Sequence, residues 1–358
     1  MNARERYLAV YENKARKRLD RVPTHVQYIR EEFINKYKDE ILRDYSGVLF
    51  NNYYYDIPLA LGFDSVFAPF PPSFKCKAVK ICQNNGRILR IKEDGQIIKR
   101  KTSYYEGGYI HSIETLTDLR ANLKIIDHSN IIKKTLQYYR KLSTHIFPVL
   151  MVEGIFDRVW QGMGMTNFAK NFHMRTKLYK ELIKFYADLT QINIEGLIHA
   201  TKDQGKIITI LDDIAFKGRP MISPERWSRD YLSYYKRINS IILDANIIPQ
   251  IHTDGDPTDL IPLFKRVGFR GLQGWEGGAD PQYINDNYPN FVVIGFGDVS
   301  NILPFGTQIQ VENHVKKLLE IFKENRHFIL GPSTVIFQEI PLKNVKIFIE
   351  TAKKYGIY

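Results

Sequence analysis

The sequence predicts an α/β fold, the TIM (β/α)8 barrel, in a single domain of 358 residues. The first observation is a series of short, nearly continuous apolar runs, which is typical of strands buried on both faces of a parallel sheet. These runs span residues 147–154, 205–213, 247–252, 269–276, 291–298 and 327–333. The second observation is that amphipathic segments separate the runs. About eight such strand–helix units favour a closed barrel over the alternative, an open doubly wound sheet.

The segments between the strands carry helix start and stop signals. Ser223 precedes Pro224, a pairing of N-cap residue and first helical residue. Thr307 is followed three residues later by Gln310, the pattern of a capping box. Gly268 follows another amphipathic segment and predicts its end. These signals support helices between the strands.

The upstream part of the chain predicts an extension, two strands and an insertion. Residues 1–43 are expected to form an N-terminal helical extension, and the apolar runs within 45–55 and 63–70 predict two more strands. Residues 86–108 alternate between apolar and polar side chains and contain an Asp-Gly pair at 94–95, so we expect a β-hairpin insertion there. The helical face of the extension would consist of Tyr7, Tyr11, Ala15 and Leu19.

Composition limits the classes of partner. The formal net charge is +12, but the lysines are dispersed, which argues against nucleic acid and leaves an anionic ligand open. The apolar runs are shorter than the roughly 18–20 residues of a membrane span. Only two cysteines, Cys76 and Cys82, are present, so a reducing, cytoplasmic location is expected, without a disulfide scaffold or a zinc-finger motif. The sequence leaves the formation of a homodimer as an open question.

Charged residues end the apolar runs. In a barrel these positions would converge on the carboxyl-terminal rim of the strands, where TIM-barrel active sites lie. Converging carboxylates need a cation, a proton or a basic ligand to be tolerated. The alternative for each one alone is a solvated strand end or a helix cap. The residues concerned are Glu153, Asp212, Asp213, His252, Asp254, Glu276 and Asp298.

The pair His252 and Asp254 predicts a metal site. Their i, i+2 spacing at a strand end lets both side chains lean toward one point, and imidazole with carboxylate suits Zn²⁺ or a similar divalent metal. Glu276 is the candidate third ligand. The alternative is that His252 forms a hydrogen bond within the rim and that Asp254 makes a turn with Gly255.

Other strand-end residues are candidates for catalysis and substrate binding. Asp213, Glu153 and His252 would position the substrate or transfer a proton. Lys217 and Arg219 could bind a carboxylate. Alternatively, Asp212 caps a turn. Further candidate substrate-binding residues are Asp212, Trp275 and Asp298.

Several segments, in order, resemble blocks of the uroporphyrinogen decarboxylase superfamily, whose fold is a TIM barrel. They are "RVP" at 21–23, "VEGIFDRVWQGMG", "LDDIAFKGRPMISPERW", "PQIHTDGD", "NILPFGTQIQVENHVKKLL" and "ILGPSTVIFQEIPLKNV". In this superfamily, decarboxylases of tetrapyrroles use an arginine-rich N-terminal stretch and a late histidine. Here "THVQYIREEF" follows "RVP", and Thr334 stands at the late position. The resemblance therefore implies that the decarboxylase machinery is absent.

The same superfamily contains cobalamin-dependent methyltransferases, which bind zinc through a His-x-Cys pair and a late cysteine. The sequence keeps His252 but has Asp254 at the first cysteine position, and Thr334 lies near the second. The resemblance thus implies an oxygen-rich metal site, a harder Lewis acid than a thiolate site. We expect methyl transfer between a small non-thiol compound and a corrinoid (cobalamin) on a partner protein. The alternatives are a decarboxylase of a tetrapyrrole or other carboxylated substrate, and a non-catalytic tetrapyrrole-binding or partner subunit.

Overall fold

Eight parallel strands form the barrel in the computed structural model, which describes residues 1–69, 74–76, 81–84, 87–92, 95–99, 105–125, 129–201 and 206–358. They are β1 (His25–Val26), β2 (Ser65–Pro69), β3 (Phe147–Glu153), β4 (Ile207–Leu211), β5 (Ile248–Thr253), β6 (Gly271–Gly274), β7 (Val292–Gly297) and β8 (Phe328–Pro332), each paired with the next. A parallel bridge between Thr24 and Leu330 joins β8 to β1. The barrel prediction is confirmed, and the open doubly wound alternative is wrong.

Helices surround the barrel and begin and end near the predicted signals. Ser223 Oγ accepts a hydrogen bond from Arg226 N, and Thr307 forms the predicted capping box with Gln310. The helices are Ala3–Ala9, Asn13–Arg16, Glu31–Arg43, Tyr53–Leu61, Ile113–Asn122, Ser129–Leu142, Phe156–Met163, Met165–Met174, Lys177–Thr201, Pro224–Asp230, Leu232–Asp244, Ile261–Arg266, Pro281–Asn287, Ile302–Phe305, Gln308–Phe322 and Leu342–Tyr355, with a 3₁₀ turn at Thr258–Leu260.

Two upstream predictions need correction. The strand predicted within 45–55 is wrong, because a helix occupies Tyr53–Leu61 with Asn52 as its side-chain cap. Residues 1–43 are more than an extension, since they contain β1 and the helix Glu31–Arg43. At two residues, β1 is too short to produce a recognisable apolar run. The strand predicted within 63–70 is β2.

The insertion is larger than a hairpin. Four antiparallel strands, Ile81–Asn84, Arg87–Ile91, Gln96–Lys99 and Tyr105–Gly108, pair in chain order, and the predicted range 86–108 contains the last three of them. A separate antiparallel pair joins Phe74–Cys76 to Leu123–Ile125. The turn residue Asp94 and the side chains of Cys76 and Cys82 lie outside the described residues.

The inserted sheet contacts the barrel next to β3. Ile110 N donates to Gly162 O (2.9 Å) in the helix that follows this strand. A Cβ on Gly108 would lie 2.1 Å from Gly164 N, so a side chain at this position would prevent the close approach of the two segments.

The helix Ala3–Ala9 and the turns after it close the amino-terminal end of the barrel. Of the predicted face, Tyr7, Tyr11 and Leu19 are at most 5% exposed and Ala15 is half-buried, but they do not share one helix, since Tyr7 lies in Ala3–Ala9 and Ala15 in Asn13–Arg16. These side chains pack with inward-facing residues from several strands, among them Phe147 and Ile294. The other, carboxyl-terminal end of the strands is therefore left for a functional site. Within the described ranges, no helix combines the length and the apolar character that crossing a membrane requires.

Candidate functional site

Three side chains meet at the carboxyl-terminal mouth of the barrel. His252 lies at the end of β5, opposite Leu211 of β4, so the residues just beyond β4 stand beside it. The Nε2 atom of His252 lies 3.6 Å from Asp213 Oδ1 and 3.8 Å from Asp254 Oδ1. One ligand atom from each residue can be chosen so that all three lie within 4.8 Å of one another.

Main-chain contacts fix the two carboxylates. Asp254 N donates to Asp213 Oδ1 (3.0 Å), and Ile214 N donates to Thr253 Oγ1 (2.9 Å). Gly255 has φ of 83°, and a Cβ there would lie 2.6 Å from Phe216 N. The loops that follow β4 and β5 are thus held against each other, and glycine is required where they cross.

The electrostatics of the cluster favour a bound cation. Burial raises the pKa of Asp254 to about 6; a proton on His252 would lower it, the charges of Asp213 and Glu276 raise it further, and a hydrogen bond with Thr334 lowers it. The buried Oδ1 atom of Asp254 accepts no hydrogen bond from the described part of the chain. A buried acceptor without a donor is costly, and a metal ion would supply the missing positive charge.

The donor set fits a divalent metal. One imidazole nitrogen and two carboxylate oxygens suit Zn²⁺ and harder divalent ions. Ligand atoms around a tetrahedral zinc lie about 3.3 Å apart, given bond lengths of about 2.0–2.1 Å. The two separations that include His252, 3.6 and 3.8 Å, are a few tenths of an ångström longer, and the three ligand atoms all lie within 4.8 Å of one another.

The His252 ring is held firmly. Its side chain is 4% exposed, and the ring of Phe67 packs edge-on at a centroid distance of 6.1 Å. Its Nδ1 atom is hydrogen-bonded to Oε1 of Gln273, the residue opposite it in β6. Nε2 is therefore the nitrogen directed at the carboxylates.

The structure brings Asp213, and not the predicted third ligand Glu276, to the cluster. Glu276 Oε1 accepts a hydrogen bond from Ser300 Oγ (2.8 Å), which in turn accepts one from Lys217 Nζ (3.0 Å). Trp275, with φ of 74°, redirects the chain just before Glu276. Glu276 acts on Asp254 only through its charge.

Asp212 caps a helix and is not available to a substrate. It is 1% exposed and accepts hydrogen bonds from Asp157 N (2.7 Å), Phe156 N (3.1 Å) and the Tyr235 hydroxyl. Burial raises its pKa to about 6, against the opposing effect of these donors. The capping alternative is the correct interpretation of Asp212, because its donors include the first N–H groups of the helix Phe156–Met163.

Asp298 and Trp275 both make structural contacts. Asp298 Oδ1 accepts hydrogen bonds from Ser300 N and Asn301 N, both 2.8 Å, in the turn before the helix Ile302–Phe305. Trp275 is 2% exposed and stacks on Phe296 at 5.1 Å. Trp275 belongs to the core, which does not fit its predicted substrate-binding role. Asp298 orders a turn and is half-buried, and its substrate-binding role stays a prediction.

The other predicted residues lie on the rim, outside the three-residue cluster. Glu153 is exposed at the end of β3. Lys217 and Arg219 are exposed on a short antiparallel hairpin after β4, and the Arg219 guanidinium lies 5.2 Å from the centre of the Phe216 ring. Lys217 and Arg219 remain candidates for contacting a substrate. The charge of Glu153 raises the pKa of a nearby carboxyl group that was not among the predicted residues.

That missed residue is Asp157. It lies in the first turn of the helix Phe156–Met163. Burial and the charges of Asp213, Asp212 and Glu153 raise its pKa well above the usual range. In the sequence, the position of Asp157 four residues after the strand-end residue Glu153 was the signal that could have identified it as a candidate. Gln273, which contacts His252, was also missed, since glutamine in a strand carries no distinctive pattern.

A closed parallel barrel with polar side chains gathered at the carboxyl ends of its strands is the architecture of TIM-barrel enzymes. The model of the uroporphyrinogen decarboxylase (URO-D) family matches residues 107–355, more than half of the sequence, and the chain belongs to this family.

One solved structure has the same fold, and a second shows a weaker similarity. A methyltransferase from Methanosarcina mazei is 17% identical, with 99% of each chain covered and a TM-score of 0.65. A putative vitamin-B12 independent methionine synthase from Listeria monocytogenes is 13% identical, covers 93% of this chain and 96% of its own, and has a TM-score of 0.43. No curated protein matches the sequence.

Proposed function

We propose that this URO-D family member is a methyltransferase that moves a methyl group between a small non-thiol methyl compound and a corrinoid on a partner protein. The observation that carries the proposal is the cluster of His252, Asp213 and Asp254 at the mouth of the barrel. Family membership and the methyltransferase-like fold support the same reaction class. The corrinoid and its carrier come from the resemblance to cobalamin-dependent relatives.

The chemistry follows from the donor set. A divalent metal held by these three residues would supply Lewis acidity toward an oxygen or nitrogen atom of the methyl compound. Two carboxylates in place of thiolates favour such hard atoms over sulfur. His252 and the two aspartates would bind the metal and so orient the methyl compound. Asp157, whose pKa is raised by burial and by the neighbouring carboxylates, would hold the proton for the group that loses its methyl.

Elemental analysis of the freshly purified protein is the first experiment. The proposal expects about one divalent metal per chain, with strongly reduced content in an Asp213→Ala variant. The second experiment follows the absorption spectrum of methylcobalamin or reduced cobalamin mixed with the protein and candidate alcohols, ethers and amines. A spectral change that requires Asp213 supports the proposal. An unchanged spectrum across this set would reject it.

Decarboxylation is the second candidate, and two of the carboxyl groups whose pKa is raised, Asp157 and Asp254, favour it. Asp157 and Asp254 could each protonate the carbanion that remains when carbon dioxide leaves. Incubation with uroporphyrinogen, followed by separation of the products, decides this point. Products with fewer carboxyl groups would support decarboxylation over methyl transfer. If the protein binds a tetrapyrrole without converting it, and His252→Ala leaves the affinity for the tetrapyrrole intact, a binding role without catalysis would replace methyl transfer and decarboxylation.

A further inference from the structure

Gln273 is hydrogen-bonded to His252, one of the three residues of the cluster at the mouth of the barrel. It lies in β6 with its side chain fully buried, and its Cα is paired with that of His252 in β5. Its amide spans two neighbours: Oε1 contacts His252 Nδ1, and Nε2 donates to the backbone carbonyl of Ser333 (3.2 Å). One side chain therefore connects the histidine to the segment that follows β8.

The orientation of this amide is determined by its neighbours. A backbone carbonyl can only accept a hydrogen bond, so the NH₂ group of Gln273 must face the Ser333 oxygen. The Ser333 backbone is itself fixed, because its N–H donates to Gly297 O in β7 (2.8 Å). The amide oxygen is then the atom that faces His252, and it can only accept.

The proton of His252 follows from this orientation. Since Gln273 Oε1 has no hydrogen to donate, His252 Nδ1 must be the donor in their hydrogen bond. A neutral imidazole carries one such hydrogen. Nε2 then keeps its lone pair, and this is the nitrogen that lies 3.6 Å from Asp213 and 3.8 Å from Asp254.

The carboxylates of Asp213 and Asp254 favour the other tautomer of His252. Two acceptor oxygens near Nε2 would favour a proton on that nitrogen, which would then be unable to bind a metal. The buried hydrogen bond to Gln273 favours the proton on Nδ1. The choice between the two tautomers is therefore made by a residue that does not itself face the mouth of the barrel.

We propose that Gln273 is a positioning residue that keeps the proton of His252 on Nδ1 and so leaves Nε2 free to bind a divalent cation. This inference deepens the proposed function and rests on it for the identity of the ligand, but the tautomer itself is a property of the metal-free chain. Ser333 contributes through its carbonyl oxygen, which prevents the amide from turning over.

The test compares two buried glutamines, each replaced by an apolar residue of similar size. Gln273→Met removes the acceptor for His252 Nδ1. Gln250→Met is the matched control, because Gln250 is equally buried in β5 but is hydrogen-bonded to Thr209 and to tyrosines at the other end of the barrel. Two-bond ¹H–¹⁵N NMR of the metal-free, histidine-labelled protein reports which ring nitrogen carries the proton. The His252 signals are identified by their loss in His252→Asn.

The expected result is an unprotonated Nε2 in the unchanged protein and in Gln250→Met, and a protonated or mixed Nε2 in Gln273→Met. Zn²⁺ affinity, measured by competition with a chelating dye, should fall about 10–100-fold only in Gln273→Met. A proton on Nε2 in the unchanged protein overturns the inference, even if no variant folds. An unaltered tautomer in folded Gln273→Met overturns it as well. Absence of methyl transfer with the expected tautomers would reject the proposed function alone.

Discussion

Two residues of β5 that are two positions apart have contrasting surroundings. Gln250, toward the amino-terminal end of the barrel, has its hydrogen-bonding groups satisfied. His252, at the mouth, lies beside a carboxylate oxygen that has no hydrogen-bond donor in the described part of the chain. Gln250 donates to Thr209 Oγ1 (3.0 Å) and accepts from Tyr7 (3.3 Å) and Tyr11. Burial raises the pKa of both tyrosines, so they remain protonated donors.

At the mouth, one buried carboxylate oxygen lacks a donor among the residues that the structure describes. The buried Oδ1 of Asp254 has no hydrogen-bond partner in the described ranges, and its neighbours Asp213 and Glu276 are also acidic. The comparison teaches that satisfied polar networks stabilise the closed end, whereas an unsatisfied one marks where a ligand is needed. Substitutions at the two ends should therefore separate stability from binding.

The largest effect on stability is expected from Asp64→Ala at the closed end. Asp64 is 4% exposed and accepts hydrogen bonds from Arg6 (2.7 Å) and from both terminal nitrogens of Arg21. Removing it leaves buried positive charge without this partner, and we expect a loss of about 3 kcal/mol. Urea unfolding measures the loss, and metal affinity should stay unchanged. A loss below about 1 kcal/mol would contradict the assignment of this end to stability.

At the mouth, Asp213→Ala should have the opposite profile. Metal affinity, measured by calorimetry, should fall at least about 100-fold, because one of three protein ligands is lost. The free energy of unfolding should change by less than about 1 kcal/mol, since relief of repulsion with Asp254 offsets the lost hydrogen bond to its N–H. Strong destabilisation instead would mean that Asp213 serves the fold.

A pH dependence is expected from His25, which lies inside the barrel. Burial lowers its pKa to about 3, whereas the unfolded imidazole titrates near 6.5. The unfolded chain therefore binds more protons between these values, and stability is lost as the pH falls through this window. This contribution approaches about 1.4 kcal/mol per pH unit. Thermal unfolding between pH 7 and pH 5 should show a shallower slope for His25→Gln, and an unchanged slope would show that His25 is already charged.

The smallest effect is expected from Glu276→Gln. This residue lies outside the cluster, and the amide can still accept the hydrogen bond from Ser300. Only its charge is removed, so metal affinity should change by less than about fivefold, as expected for one half-buried charge that is not a ligand. Calorimetry alongside Asp213→Ala provides the comparison. A loss as large as that of Asp213→Ala would restore Glu276 as a ligand.

Periodicity and end signals made the strands from β2 to β8 and many helix boundaries predictable. They did so because burial on both faces and capping are local consequences of residue type. The same reasoning missed β1, which has two residues, and took the start of the helix Tyr53–Leu61 for a strand, since aromatic runs suit either structure.

The candidate site was predictable only in part. Residue type and position at a strand end identified His252, Asp213 and Asp254 as candidates. They could not distinguish Asp213 from Asp212, because adjacent carboxylates differ only in the direction their side chains take. Backbone N–H groups of the helix Phe156–Met163, which follows β3, draw Asp212 into the core, and Asp213 is left to face His252.

By itself, the sequence determined that strands and helices alternate, that the strands are buried, and that acidic residues and one histidine stand at their ends. The tertiary structure decided which of these side chains meet, that Glu276 turns away toward Ser300, and that Gln273 is the residue hydrogen-bonded to His252. The physical reason is range. Burial and capping act over a few residues along the chain, whereas a contact between two strand ends depends on the register and closure of the whole barrel.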